Sequence, residues 1–276
     1  MFTKGYVLVL HGLNSTPGDM RSLTGALKFA GFAVHAPDLP GAGGGIRLKG
    51  LKAEDFIEAA FREWDRVDGS GCKAIVGLSL GGMLGALIAS HYDDVSALVM
   101  LSPTTSPPGG FAGRLLPYLH WLKPWYSPFK EEDLSNPELL RRLEARYPGL
   151  DLKSEAGRAR VLEESKIPTA ALAAVVKLQK KMLQALPETK APVLAMFGGA
   201  DELVSRSDEE RLCKALSQRK VVREVKWMSN CSFGGRNVPS AWTVWFERSP
   251  HCLPCGLDQE QVANTVVEFL EVVCEQ

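Results

Sequence analysis

Short, mostly apolar segments rich in β-forming residues alternate with segments of helical periodicity over most of this chain. The apolar runs have the length and composition of buried strands; they are Gly5–Leu10, Phe32–Ala36, Lys73–Leu78, Val95–Leu101, Ala191–Phe197 and Val221–Met228. Helical patterns separate them; these are Asp19–Ala30, Ala53–Val67, Gly81–His91, Arg206–Leu216 and Asp258–Val273. Strands without a polar side must be covered on both faces. The alternation therefore predicts an α/β fold, with a mostly parallel sheet of about six strands flanked by helices.

Residues 103–190 interrupt this alternation, because no strand-like run occurs there. The segment begins with proline-punctuated, aromatic-rich sequence and continues with helical stretches near Pro137–Arg146 and Pro168–Leu186. The simplest interpretation is a single α/β core formed by residues 1–102 and 191–276, with residues 103–190 as a helical insertion.

The charge and composition exclude several classes of partner. Lys plus Arg and Asp plus Glu number 32 each, so no global field favours nucleic acid or an anionic membrane surface. The apolar run at the N-terminus spans only Tyr6–Leu10, and no stretch has the length of a membrane span. The six cysteines are sparse and lie mostly late in the chain, which favours a reduced, cytoplasmic protein over a small disulfide scaffold. We expect a small neutral or apolar ligand, no metal and no cofactor, in a monomer or homodimer.

The strongest chemical signal is the segment GLSLGG, Gly77–Gly82, which contains G-x-S-x-G with Ser79 at its centre. A predicted strand precedes this segment and a predicted helix follows it, which is the context that a nucleophile elbow requires. A glycine-rich turn that merely packs a helix on a strand is the alternative. The context favours Ser79 as a nucleophile at the carboxyl edge of the sheet.

A serine hydroxyl is a weak nucleophile and needs a base that is itself held by an acid. His251 is the only histidine after residue 120, and it follows the last strand candidate. Asp201 follows the run Ala191–Phe197, in a loop at the carboxyl edge, although such an aspartate alone could be a turn former. Asp208 is a weaker candidate, because it falls inside the following helix. The predicted catalytic residues are therefore Ser79, Asp201 and His251.

Acyl transfer also needs two N–H groups directed at the developing oxyanion. The segment LVLHGLN, Leu8–Asn14, is a strand that ends in His-Gly and a bend. We expect the backbone N–H groups of Leu13 and of Leu80, the residue after Ser79, to form the oxyanion hole. His11 is interpreted as a structural residue of the turn, because the triad already has its histidine.

Several segments together resemble the α/β-hydrolases, and in particular the bacterial carboxylesterase and monoacylglycerol-lipase branch. They are LVLHGLNSTPGDMRSL, GFAVHAPDLPGAG, IVGLSLGG, APVLAMFGGADELV and ERSPHCLP, and they cover nearly the whole core. The resemblance implies an α/β-hydrolase fold, the same triad and oxyanion hole, and a helical cap over the active site at 103–190.

One departure from the family pattern is the long connection between Asp201 and His251, which are 50 residues apart. We expect Val221–Met228 to be the last strand, so that residues 229–246 are an insertion. An antiparallel return of residues 241–248 would carry His251 to the amino edge of the sheet. We therefore expect residues 229–246 to form an excursion above the sheet with its aromatic side chains near the acyl pocket; a surface loop packed by its own aromatics is the alternative.

Aromatic side chains in the cap and in this insertion are candidates for substrate binding, although packing of the cap onto the core is the commoner role for such residues. The candidates are Trp121, Trp125, Phe233 and Trp242.

His251 also begins the motif His251-Cys252-x-x-Cys255, which alone could be half of a zinc site or a redox C-x-x-C pair. Because a metal on His251 would disarm Ser79, we interpret the two cysteines as reduced thiols that pack the loop. A disulfide from Cys231 to either cysteine is an alternative.

These observations predict a serine carboxylesterase, similar to monoacylglycerol lipases, that cleaves neutral short- to medium-chain acyl esters through an acyl-enzyme on Ser79. Another reaction of the same triad is the second hypothesis: a lactonase, a thioesterase or a C–C bond hydrolase. A non-catalytic ligand receptor on this scaffold would not need a base-activated serine.

Overall fold

The structure, a computed structural model, describes residues 3–107, 124–127, 140, 143, 151–219 and 240–275. The strands are β1 (Tyr6–Leu10), β2 (Ala33–His35), β3 (Lys73–Leu78), β4 (Ala97–Leu101), β5 (Trp125–Tyr126), β6 (Ile167–Pro168), β7 (Val193–Gly198) and β8 (Ala241–Phe246). The α-helices are α1 (Arg21–Phe29), α2 (Ala53–Asp65), α3 (Leu80–His91), α4 (Glu155–Glu164), α5 (Thr169–Ala185), α6 (Arg206–Leu216) and α7 (Gln259–Cys274). Short 3₁₀ helices lie at Pro17–Met20, Gly45–Leu48, Leu186–Glu188 and Leu253–Cys255.

Six strands form one sheet in the order β2-β1-β3-β4-β7-β8, and every neighbouring pair is parallel. The register aligns the carboxyl ends of the central strands, with Leu10 opposite Gly77 and Leu78 opposite Leu101. At the other side of the sheet Gly198 is opposite Phe246. The loops that follow these strands therefore leave the sheet at one edge, and the predicted parallel sheet of about six strands is confirmed.

The sheet is buried on both faces, as its apolar strands require. Successive residues of a strand point to opposite faces, so Leu8 and Leu10 join one core cluster while Val7 and Val9 join the other. The first cluster packs the sheet against α2, α3, α5 and α6. The second packs it against α1 and α7. This three-layer arrangement fixes the positions of the loops at the carboxyl edge.

The last strand of the sheet is not the one that the sequence analysis chose. Residues 241–246, expected in an excursion above the sheet, form β8, which pairs in parallel with β7 along its whole length. A parallel strand at this position ends at the carboxyl edge and delivers His251 to the side where Ser79 lies. The expected excursion was wrong because a parallel strand also brings His251 to the carboxyl edge, which an antiparallel return would not. The predicted strand Val221–Met228 lies outside the described residues.

The described part of the predicted cap contains the antiparallel pair β5–β6 and the helices α4 and α5. Helix α5 contributes Ala171, Leu178 and Met182 to the first core cluster and packs against α3. The C-terminal part of residues 103–190 thus covers the sheet as a core layer. Helix Pro137–Arg146 lies mostly outside the described residues, and the division into core and cap stays a prediction.

Four cysteines form two disulfides, Cys72–Cys274 and Cys252–Cys255, while the side chain of Cys213 is buried. The expectation that Cys252 and Cys255 are reduced thiols was therefore wrong, and the alternative partner Cys231 lies outside the described residues. Within the described ranges, no helix is both long enough and apolar enough to cross a bilayer.

Candidate active site

Ser79 lies at the sharp turn between β3 and α3, where the sequence analysis predicted a nucleophile. Its backbone has φ 52° and ψ −111°, a left-handed conformation that residues other than glycine seldom adopt. Its N–H donates to the Leu101 carbonyl oxygen of the adjacent strand at 2.8 Å, and its own carbonyl oxygen accepts from Met83 N at 3.1 Å. The side chain is half-buried, so the hydroxyl is held at the carboxyl edge with access to a ligand.

The second glycine of the motif allows this turn to lie against β1. A Cβ atom on Gly81 would be 2.1 Å from the carbonyl oxygen of Leu10, a distance at which something must move. The glycine thus lets the first turn of α3 approach the end of β1, next to the His11–Gly12 bend. The spacing of the motif is explained by this close approach as well as by the conformation of Ser79.

Asp201 and His251 are in direct contact. The Nδ1 atom of His251 lies 2.7 Å from Oδ2 of Asp201, whose carboxylate is buried, and the imidazole is 23% exposed. The other carboxylate oxygen accepts from the N–H of Leu203 at 2.8 Å. With Nδ1 donating to the carboxylate, Nε2 carries the free lone pair, which is the tautomer that a general base needs.

The loops that carry these two residues are held against each other by backbone hydrogen bonds. Gly199 N donates to Phe246 O at 2.8 Å, and Ala200 N donates to Ser249 O at 3.1 Å. A Cβ on Gly198 would lie 2.2 Å from the Ser249 carbonyl oxygen, so the chains touch here. Asp258 then accepts from Ser249 Oγ at 2.9 Å. These backbone hydrogen bonds fix the distance between Asp201 and His251, in addition to the contact between the two side chains.

Ser79 and His251 lie at the same edge of the sheet, on loops that follow β3 and β8. Among the described residues, the hydroxyl of Ser79 makes no hydrogen bond, so the structure does not join it to His251. Catalytic hydrogen bonds are often long without a substrate and tighten only in the complex. The structure thus brings together two of the three predicted catalytic residues and places the third on the same edge.

The bend after β1 runs directly past Ser79, as the predicted oxyanion hole requires. A Cβ on Gly12 would lie 3.6 Å from the Cβ of Ser79, which puts the backbone before Leu13 beside the nucleophile. Leu80 is the first residue of α3, so its N–H has no acceptor within the helix. Within the described backbone, the N–H of Leu13 also makes no hydrogen bond. Both predicted donors are therefore available to a ligand at this point.

His11 holds this bend in place. Its Nδ1 lies 2.8 Å from the Gly12 carbonyl oxygen, and Leu39 N donates to Nε2 at 3.0 Å. The side chain is buried, and burial lowers the pKa of the imidazole below 6.5 although the Gly12 carbonyl opposes this shift. A neutral ring with both nitrogens occupied agrees with the structural role given to His11.

Asp208, the weaker candidate for the acid, serves a different purpose. It is buried, accepts from the N–H and hydroxyl of Thr105 at 2.9 and 2.8 Å, and caps α6 by accepting from Ser205 N at 2.9 Å. Burial alone would raise the pKa of Asp208, but these hydrogen bonds outweigh it and hold the pKa below 3.8. Its carboxylate thus ties the segment after β4 to α6, apart from His251.

Replacing Asp208 by asparagine is expected to lower the free energy of unfolding at pH 7 by about 2 kcal/mol, since hydrogen bonds to a buried charge are lost. A depressed folded-state pKa adds stability above the unfolded-state pKa, and this contribution is lost as the pH falls through the folded-state value. The difference between wild type and variant should therefore be constant from pH 7 to about 5 and shrink below about 4. Urea unfolding followed by circular dichroism at each pH measures it, and a difference that does not change with pH would contradict the assignment.

Two of the four predicted substrate-binding aromatics can be placed. Trp242 lies near the amino end of β8, where it packs edge-on against Phe269 of α7 with ring centroids 5.6 Å apart. Here the half-buried side chain packs against the second core cluster, away from the carboxyl edge, which does not fit a role in an acyl pocket. Trp125 lies in β5, paired with Pro168. Trp121 and Phe233 lie outside the described residues.

The zinc hypothesis for the motif at 251–255 does not fit the structure. Cys252 and Cys255 are bonded to each other, and Nδ1 of His251 faces Asp201. Neither sulfur is therefore a thiolate that could ligate zinc. Within the described ranges, no other group of three His, Cys, Asp or Glu residues could hold a metal ion.

Two supporting carboxylates were missed by the sequence analysis. Asp19 accepts from Ser15 Oγ at 2.5 Å and from Thr16 N at 3.1 Å, which braces the bend that follows Leu13. The spacing Thr16-x-x-Asp19 is a capping-box signal that could have revealed this role. Asp258, which braces the loop of His251, leaves no comparable local signal, because its partner Ser249 is nine residues away.

Comparisons with known proteins identify the family and the fold. A family model described as "Serine aminopeptidase, S33" matches residues 2–231. A thermostable monoacylglycerol lipase from Bacillus sp. (strain H-257) is 27% identical over an alignment of 228 residues, and the match covers 79% of each chain. Among solved structures, the monoacylglycerol lipase of Paleococcus ferrophilus has a TM-score of 0.69 at 21% identity and covers 98% of this chain and 95% of its own.

A structure from a study of two metagenome-derived lipolytic enzymes, LipS and LipT, has the same TM-score of 0.69 at 18% identity, with 97% of this chain and 94% of that chain covered. At these identities the structures establish the fold, and the predicted α/β-hydrolase resemblance is confirmed. Since the family model spans most of the sequence, the chain belongs to the serine aminopeptidase S33 family of α/β-hydrolases.

Proposed function

We propose that this carboxylic ester hydrolase cleaves neutral, short- to medium-chain acyl esters, monoacylglycerols among them, through an acyl-enzyme on Ser79. The observation that carries the proposal is the 2.7 Å contact between Asp201 and His251 at the edge of the sheet where Ser79 stands in a strained turn. The monoacylglycerol lipase of Bacillus supports the substrate class.

In the proposed reaction, His251 Nε2 removes the proton of the Ser79 hydroxyl as its oxygen attacks the ester carbonyl. Asp201 keeps the imidazole in the correct tautomer and stabilises the positive charge that forms on it. The N–H groups of Leu13 and Leu80 donate to the oxyanion of the tetrahedral intermediate, where a positioned donor contributes about 3 kcal/mol. His251 then protonates the leaving alcohol, and a water activated by the same base hydrolyses the acyl-enzyme.

A neutral ester fits the way in which Asp201 and His11 are already engaged by protein groups. The carboxylate of Asp201 is buried and engaged by His251 and by the N–H of Leu203. His11 is neutral and has both ring nitrogens occupied. Neither group offers a free charge that would recognise a charged leaving group or an acyl chain with a carboxylate.

A substrate series tests the proposal. We expect wild-type protein to hydrolyse p-nitrophenyl esters between acetate and laurate, with the highest kcat/KM at short to medium chain length, and to release fatty acid from monoacylglycerols. An aminoacyl p-nitroanilide and an acyl thioester are measured in parallel, because the family model is described as a serine aminopeptidase. A chelator should leave the rates unchanged.

Each outcome of this series has a distinct meaning. Cleavage of the anilide or thioester with no ester hydrolysis would overturn the substrate class while keeping the triad. Full ester hydrolysis by the Ser79→Ala variant would overturn the acyl-enzyme. A preference for laurate over every shorter ester would contradict the proposed chain length.

A further inference from the structure

The Cys252–Cys255 disulfide lies directly beside the candidate base. Cys252 is the residue after His251, and the covalent ring closes over four residues that contain the 3₁₀ helix Leu253–Cys255. Leu253 N donates to the carbonyl oxygen of His251 at 3.1 Å, and Cys255 N donates to Cys252 O at 2.9 Å. Because the side chain of Leu253 is fully buried in the second core cluster, this short ring anchors the backbone of the base to the core.

The other end of the same disulfide touches the bend that carries an oxyanion donor. Cys255 Sγ lies 3.3 Å from the carbonyl oxygen of Asp19. The carboxylate of Asp19 holds Ser15 and Thr16, which follow Leu13 by two and three residues. One covalent link is therefore in contact with the segments that position the base and the Leu13 N–H group.

The disulfide is accessible from solvent on one side. Cys255 is exposed and Cys252 is half-buried, so a reagent reaches the Cys255 sulfur first. Thiol–disulfide exchange requires an attacking thiolate to approach one sulfur while the other leaves. The exposed Cys255 and the half-buried Cys252 match these two roles.

We propose that Cys252–Cys255 is a thiol–disulfide exchange site for a dithiol reductant, and that its reduction lowers turnover by releasing the loops of His251 and Leu13. The effect on turnover rests on the proposed function, whereas the exchange itself does not. Reduction makes these two loops less rigid but does not change the groups that bind the substrate. We therefore expect the reduced form to keep its substrate affinity.

The exchange of the Cys252–Cys255 disulfide with a dithiol takes place in two steps. A thiolate of the reductant attacks Cys255 Sγ, the bond between the two protein sulfurs breaks, and Cys252 leaves as a thiolate that takes up a proton. The second thiolate of the reductant attacks the reductant sulfur of the mixed disulfide and releases Cys255, which is protonated in turn. Two electrons and two protons pass from the dithiol to the protein, and the dithiol becomes a disulfide.

The other disulfide provides a matched control. Cys72 precedes β3 and Cys274 ends α7, so this bond lies at the amino edge of the sheet, opposite Ser79. Reduction of this bond removes a cross-link without touching either loop of the site. A fall in kcat that accompanies reduction of Cys252–Cys255 but not of Cys72–Cys274 can therefore be distinguished from a general loss of stability.

The experiment uses the full chain as wild type, as Cys252→Ser/Cys255→Ser and as Cys72→Ser/Cys274→Ser. Each is incubated with dithiothreitol or with oxidised glutathione, the state of each cysteine is read by alkylation and mass spectrometry, and kcat and KM are measured on p-nitrophenyl butyrate. We expect reduction to lower kcat about tenfold with KM unchanged, since misplacing catalytic groups by about 1 Å can cost up to about 100-fold. Reoxidation should restore kcat in wild type and in Cys72→Ser/Cys274→Ser, whereas Cys252→Ser/Cys255→Ser should have the low kcat in both conditions.

Hydrogen–deuterium exchange of peptides covering residues 11–20 and 247–258 gives a readout that does not depend on activity. Both peptides should exchange faster after reduction. If the protein hydrolyses no substrate, the proposed function is wrong. The hydrogen–deuterium exchange of these two peptides then still tests whether reduction of Cys252–Cys255 releases the two loops. If the Cys72→Ser/Cys274→Ser variant folds poorly, kcat of partly reduced wild type is compared with the occupancy of each disulfide.

Three results would overturn the proposal: a Cys252–Cys255 pair that is reduced in protein purified without reductant, an unchanged kcat and unchanged exchange when the pair is reduced, or a kcat that follows only Cys72–Cys274.

Discussion

Replacing Ser79 by alanine is expected to lower kcat by about 10⁴- to 10⁶-fold and to leave KM within a few-fold of the wild-type value. The hydroxyl oxygen is the atom that attacks, and without it only the oxyanion donors and binding remain to accelerate the reaction with water. Steady-state rates on p-nitrophenyl butyrate measure the loss. A fluorophosphonate probe followed by mass spectrometry should label Ser79 in wild type and nothing in the variant.

Ser102 offers a matched control for this experiment. It also follows a strand directly and has a positive φ, 47°, and its buried hydroxyl has no hydrogen-bond partner among the described residues. Ser102→Ala should therefore keep kcat within about twofold, because surrendering an unpaired hydroxyl costs little. Circular dichroism and thermal unfolding show whether both variants are folded. If Ser102→Ala lost activity and Ser79→Ala kept it, Ser79 would not be the nucleophile.

Asparagine at position 201 is expected to lower kcat by about 10⁴-fold while preserving the fold. The amide is nearly the same size as the carboxylate, but it can present an N–H group to Nδ1 of His251 and so favour the tautomer whose Nε2 is protonated. The imidazole then cannot accept the proton of Ser79, and the positive charge on it is no longer stabilised. The effect is measured as kcat/KM of the variant and of wild type at each pH, over the range in which the variant stays folded.

The control for this variant is Asp208→Asn, which makes the same chemical change seven residues away. Asp208 is also buried, but it accepts from Thr105 and Ser205 rather than from His251. Its replacement should alter stability, as described above, and leave kcat within about threefold at pH 7 where the variant is folded. If Asp208→Asn abolished turnover and Asp201→Asn did not, the acid would have been assigned to the wrong aspartate.

The central part of the fold could be predicted from the sequence because its signals are local. Strands β1, β3, β4 and β7 are apolar runs bounded by turns, and the segment around Ser79 has a spacing that only a close strand–helix turn requires. Asp201 and His251 were found by elimination: one is a loop aspartate after a strand, and the other is the only histidine in the second half of the chain. Their contact at 2.7 Å is a consequence of the sheet order, which brings β7 and β8 side by side.

The assignment of β8 failed for a physical reason. Periodicity reports that a segment such as Ala241–Phe246 can be a strand, but it carries no information on the direction in which the strand pairs. Direction depends on where the preceding connection leads, and most of residues 220–239 lack a periodic pattern. Trp242 was misplaced with it: as a strand residue it faces α7, whereas as part of an excursion it would have faced the substrate.

The two disulfides show how far a local sequence pattern can predict a contact. Cys72 and Cys274 are 202 residues apart and meet only because β3 and the end of α7 share the amino edge of the sheet. Nothing near either cysteine in the sequence indicates the other. Cys252 and Cys255, by contrast, have a spacing that allows a bond, and the sequence leaves open whether it forms.

The long-range disulfide places the chemistry of this protein inside a closed loop of chain. Residues 72 to 274 include Ser79, Asp201 and His251, so all three lie between the two bonded cysteines. A protease that cut one peptide bond anywhere in this span would leave both fragments covalently attached. The elbow, the acid loop and the base loop would still belong to one molecule, and only a second event, reduction of Cys72–Cys274, would let them diffuse apart.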